Sequence, residues 1–112
     1  MAEKMKLEDF ILRMKAGWGF WRPHRVQRIG HALDKIIPHS LRDEEVEVSF
    51  HKSSSGEGTS HVYSYRWEVR GAKLPIEGRL TPSASDVVFG FSRGMLPILH
   101  NNEDGFVVGY DW

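Results

Sequence analysis

The sequence predicts an α+β domain: two N-terminal helices packed on one face of an antiparallel meander sheet of about five to six short strands. Three observations predict it. Apolar residues recur at helical spacing as far as residue 37. From residue 44 the period changes to two. Beyond that, short apolar runs alternate with Gly-, Ser- and Asn-rich turn signals. At 112 residues the chain reads as a single domain over 1–112.

The first helix is expected over 5–16. Leu7, Phe10, Ile11 and Met14 lie on one helical face, Glu8 and Asp9 come early, and Arg13 and Lys15 come late, which suits the helix dipole. Gly17 is its stop, and 17–21 (GWGFW) is a connector. The second helix is expected over 23–37. Pro23 suits a first helical turn, and Pro38 ends the run. At 100° per residue Val26, Ile29, Leu33, Ile36 and Ile37 share one arc. His24, Arg28, His31 and Lys35 share the opposite arc, with Arg25 at its edge.

Strands are expected at 44–52, 61–70, 73–80, 86–91, 95–99 and 106–111. In the first, Val46, Val48 and Phe50 alternate with Glu45, Glu47 and Ser49. A Ser/Gly-rich loop over 53–60 leads to the second. There Tyr63, Tyr65 and Trp67 point one way and Arg66, Glu68 and Arg70 the other. The aromatic row is expected to face the core. Gly71 marks a turn, Pro75 an edge position or bulge, and 101–105 (NNEDG) a further turn.

The chain has 15 Lys/Arg and 15 Asp/Glu, so its net charge is zero. The charges are unevenly placed. Residues 13–35 hold six Lys/Arg against Asp34 alone, together with two of the four Trp. A neutral chain with one basic segment implies a localised contact, not a polyanion surface all round. There is no Cys, which excludes disulfides and thiolate chemistry and leads us to expect a reducing, intracellular compartment, first the cytoplasm. The start, MAEKMKLEDF, lacks the apolar core of a secretory signal, and no apolar run approaches the ~18 residues of a membrane span.

Cations neutralise phosphates, and exposed indoles stack on bases. Trp18, Trp21, Arg22, Arg25, Arg28, His31 and Lys35 are therefore the expected nucleic-acid contacts, with Phe20 beside them. The leading expectation is a small binding protein for nucleic acid, RNA favoured, and not an enzyme. A second is an interaction or inhibitor module, in which the basic face meets an acidic protein surface or Asp43, Glu44, Glu45 and Glu47 meet a basic one. A third is a metal-independent ribonuclease with His51 and His61 as base and acid near Arg66. The histidines at 24, 31, 39, 51, 61 and 100 form no ligand cluster, so neither metal nor cofactor is expected. A homodimer is a further expectation, from the terminal Tyr110-Asp111-Trp112 and the edges of an open sheet.

Two short stretches, Trp18-Gly19-Phe20 and Tyr63-Ser64-Tyr65-Arg66-Trp67 followed by Arg70-Gly71, resemble segments of the tombusvirus family of RNA-silencing suppressors. Members of that family dimerise and bind short duplex RNA across a sheet, with Trp side chains near the duplex ends. The rest of the chain does not follow the pattern. The resemblance implies only that RNA ranks ahead of DNA.

Overall fold

A computed structural model describes residues 2–56, 62–75 and 96–111. It contains two helices packed with a five-stranded antiparallel sheet. Strand β1 (Ala2–Lys6) runs directly into helix α1 (Leu7–Lys15), and α2 (His24–Ile36) follows. A 3-10 turn (His39–Leu41) leads to β2 (Glu45–Ser55), β3 (Val62–Arg70), β4 (Leu96–Asn101) and β5 (Gly105–Asp111). The sheet order is β1-β2-β3-β5-β4, so β5 lies between β3 and β4 where a strict meander would place β4. No described helix is long and apolar enough to cross a membrane.

The helices form where the apolar periods place them. Leu7, Phe10, Ile11 and Met14 of α1 are buried, as are Val26, Ile29 and Leu33 of α2. No side chain caps α1. Its first free amides donate instead to backbone oxygens, Leu7 to Glu44 (2.9 Å) and Glu8 to Arg42 (3.0 Å), which satisfies donors that every helix start leaves open. This link also fixes α1 against the start of β2.

The end of α1 governs everything that follows. The Trp18 amide donates to the Arg13 carbonyl (2.8 Å) and the Gly17 amide to that of Met14 (3.0 Å), with Gly17 at φ +92°. That pairing is a Schellman motif. The next turn closes by Phe20 N–H to the Gly17 carbonyl, 2.9 Å, with Trp18 at φ +53° and Gly19 at +80°. Two successive positive φ values reverse the chain tightly, and at Trp18 they cost about 1–2 kcal/mol of backbone strain. A Cβ on Gly17 would stand 2.3 Å from the Pro23 Cβ, so only glycine lets the chain fold back onto the start of α2.

The two helices cross at Gly30. A Cβ there would lie 2.4 Å from the Lys15 nitrogen and 2.6 Å from the Met14 carbonyl carbon, both backbone atoms. At the far end of α2, Arg42 donates to the carbonyl oxygens of Asp34 (2.7 Å) and Ile37 (3.0 Å) and to the Asp34 carboxylate (2.7 Å). Lys15 reaches the same carboxylate at 3.2 Å. One guanidinium thus closes the open carbonyls of the helix end and ties α1, α2 and the approach to β2 together.

Cross-strand registers sort the sheet into rows. Val48, Val69 and Phe106 form one row; Phe50, Trp67, Val108 and Leu99 the next; Lys52, Tyr65, Tyr110 and Pro97 the next; Ser54 and Tyr63 the last. The first two rows, with Met5 and Val46, meet the helices in the core or at its edge. The expected strand at 73–80 is not a strand at 73–75, where the Asn101 side-chain amide pairs with both backbone groups of Leu74 (2.8 and 3.0 Å). The remainder of that strand and the one expected at 86–91 lie outside the described residues.

Candidate nucleic-acid interface

The sheet outreaches the helices. An 11-residue β2 spans about 36 Å at ~3.3 Å per residue, whereas the 13 residues of α2 span only about 20 Å. The row Trp67, Tyr65, Tyr63 therefore begins in the core and ends outside it. Trp67 is 0% exposed, Tyr65 half-buried and Tyr63 37% exposed. Core and surface share one aromatic row, which refines the expectation that the row as a whole faces the core.

Beyond the helix layer the sheet forms the floor of a groove of about 630 Å³. Phe50, Lys52, Tyr63, Tyr65 and Tyr110 supply the floor and one side; Phe20, Trp21 and Arg22 of the connector supply the other. Phe20 is the hinge between core and groove. Its ring packs 5.4 Å from Tyr65, 5.6 Å from Phe50 and 5.7 Å from Trp67, centroid to centroid. Among the described residues six aromatics and two cations line the groove, and no acid does.

The two tryptophans of the basic segment part company here. Trp18 is half-buried, edge-on to Phe10 at 6.0 Å and to Trp67 at 6.2 Å. Its ring is further covered by the Arg13 guanidinium 3.8 Å from its centroid, and Arg13 is itself paired with Glu3. Trp21 is 90% exposed and forms a wall of the groove. Arg22 is exposed beside it.

Arg25 is half-buried behind the groove, its guanidinium carbon 5.8 Å from the Tyr110 ring centre. Tyr110 is 2% exposed, and burial pushes its phenol up to about 12, with Tyr65 adding to the rise and Arg25 opposing it. The floor therefore carries a neutral hydroxyl at any physiological pH. Arg28, His31 and Lys35 are exposed on α2, outside the residues that line the groove. The structure thus brings Trp21 and Arg22 together, sets Arg25 behind them, spaces Arg28, His31 and Lys35 along α2, and turns Trp18 inward.

Sequence reasoning left Phe50, Lys52 and Tyr110 out of the site, and it assigned Tyr63 and Tyr65 to the core face with Trp67 instead of to an exposed stacking face. The signal was present in the alternation: Phe50 and Lys52 share a parity, as do Tyr63 and Tyr65. What it lacked was the length of sheet left uncovered. On the opposite sheet face His51 stands across from Arg66 in register, with its Nε2 3.6 Å from Glu68; His61 lies outside the described residues.

Neither a family model, nor a curated protein, nor a solved structure matches this chain.

Proposed function

We propose that the protein binds nucleic acid, RNA ahead of DNA, through the N-terminal basic segment. One observation carries the reading: Trp21, 90% exposed, adjoins Arg22 on a groove whose described lining holds cations and no acid. An indole held open to solvent beside a guanidinium matches the paired needs of base and phosphate. Arg25, Arg28 and Lys35 extend the cationic track along α2, and the exposed His31 adds a polar ring beside it. Tyrosine hydroxyls in the groove favour RNA, since a ribose 2′-hydroxyl can both donate to and accept from them.

The test is a titration of intrinsic Trp fluorescence with short single-stranded and duplex RNA and DNA at two salt concentrations. Salt-sensitive quenching, strongest with RNA, is the expected result. Replacing Arg28 and Lys35 by Ala weakens binding of every sequence and flattens the salt slope by about one for each phosphate no longer neutralised. Absence of quenching in all arms refutes the reading and moves the protein-partner alternative to first place, with the basic face of α2 against an acidic surface or Asp43, Glu44, Glu45 and Glu47 against a basic one.

A homodimer belongs to the same reading. β1 and β4 are the outer strands of the described sheet, and an open edge can pair with a second copy. Sedimentation across a concentration range tests it; a constant monomer mass refutes it.

A further inference from the structure

Lys52 occupies an unusual position in the groove. It lies directly across from Tyr65 in the register, and its ammonium sits 5.6 Å from the centre of the Tyr63 ring and 5.8 Å from that of Tyr65. The cation thus rests on the two ring faces that extend furthest beyond the core. Trp21 and Arg22 form the facing wall. The volume, about 630 Å³, falls in the range of clefts that hold a small ligand.

We infer that the groove takes an unpaired nucleotide, its base stacked among Trp21, Tyr63 and Tyr65 and its phosphate held between Lys52 and Arg22. The inference rests on the nucleic-acid reading and narrows it to single strands. Inside a duplex both faces of each base are covered by neighbouring bases and an end pair opens only one, so a groove with rings on two sides suits a base that has left the stack. When the base enters, the Lys52 ammonium leaves the Tyr63 and Tyr65 faces and exchanges a cation–π contact for a phosphate. Lys52, together with Arg22, then makes the site prefer a nucleotide over a nucleoside. A caged quaternary ammonium is the other ligand that aromatic walls suit, but Lys52 and Arg22 would repel it.

The experiment uses the full chain and five probes: a short fluorescein-labelled oligoadenylate, the same strand in a blunt duplex, AMP, adenosine, and tetramethylammonium. The expected results are tighter binding of the single strand than of the duplex and of AMP than of adenosine. Tyr63→Ala weakens the single strand about tenfold, the loss of one stacked base. Lys52→Ala narrows the AMP-over-adenosine preference and lowers the salt slope by about one, with adenosine binding retained. Tyr63 is on the open end of the sheet, and circular dichroism of the variants verifies that they fold. If Tyr63→Ala and Lys52→Ala bind as the parent does while Arg28→Ala with Lys35→Ala weakens strand and duplex alike, nucleic-acid binding stands and the groove assignment falls. If no nucleic-acid probe binds the parent chain, both fall. Quenching of Trp21 by tetramethylammonium with AMP silent overturns the nucleotide assignment.

Discussion

Trp18 packs edge-on against Trp67, with ring centroids 6.2 Å apart, and this contact separates two indoles that stand only three positions apart in the chain, Trp18 and Trp21. The Schellman end of α1 pulls Trp18 back over the core, the tight turn at 17–20 reverses the chain, and Trp21 emerges on the groove. Backbone strain at Trp18 is offset by the burial of its ring against Phe10, Arg13 and Trp67.

The two tryptophans should therefore answer substitution in opposite ways. Trp18→Ala loses about 2–3 kcal/mol of folding stability, less than a fully buried Trp because the ring is only half covered. Trp21→Ala stays within about 0.5 kcal/mol of the parent, as expected of an exposed side chain, yet loses most of the fluorescence response to ligand. Urea unfolding followed by circular dichroism measures the two stabilities. Equal losses at both sites would contradict the assignment of Trp18 to the core and Trp21 to the groove.

Gly30 is expected to tolerate no side chain. Ala has the better helix propensity by about 1 kcal/mol, but the added Cβ meets backbone of α1 at 2.4 and 2.6 Å. Backbone cannot swing aside, so overpacking prevails and Gly30→Ala destabilises by about 1–3 kcal/mol net. A rise in the urea midpoint would show that the helices can separate freely at this crossing.

Acid stability should depend on Asp34. Its carboxyl is held below the usual carboxylate range, first by the hydrogen bond from Arg42 and next by that from Lys15. The folded protein therefore keeps Asp34 ionised where the unfolded chain, with its carboxyl near pH ~4, has begun to bind a proton. The stabilisation is fully present above that pH and disappears as the pH falls through the lower folded value. Asp34→Asn flattens this acid limb, read as the urea midpoint between neutral and strongly acid pH. Arg42→Ala costs about 2–3 kcal/mol at neutral pH, after allowance for a carboxylate side chain 35% exposed, because it also opens two carbonyls at the end of α2. Arg42→Lys recovers little of it, since an ammonium cannot match the planar fork that reaches all three acceptors.

Much of this fold was legible in residue periods. The buried faces of α1 and α2 fall on the expected Leu, Ile, Val, Phe and Met positions, and the alternation in β2 and β3 appears in the structure on the expected parity. β1 was not legible. Its five residues, AEKMK, are short and charged, and only pairing with β2, some forty positions away, makes them a strand. For the same reason Met5 belongs to β1, and α1 begins at Leu7 instead of residue 5. The placement of β5 inside β4 was hidden too, because hairpin signals fix which strands adjoin and not which of the two faces inward. At the site, Arg22 and Trp21 were visible as composition, but the inward turn of Trp18 depends on the sign of φ at three consecutive residues. Lys52 and Tyr63 became site residues only because the strands run on past the helices.

The most direct test of nucleotide binding in the groove is where a bound strand touches the chain. Ultraviolet crosslinking of a short oligoribonucleotide to the 112-residue chain, followed by peptide mapping, reads this without assuming a mode. Crosslinks are expected at Trp21, Tyr63 and Tyr65, and they should vanish when unlabelled AMP is in excess. Crosslinks confined to the outer face of α2 around Arg28 and Lys35, or insensitive to AMP, would contradict the groove as the binding site.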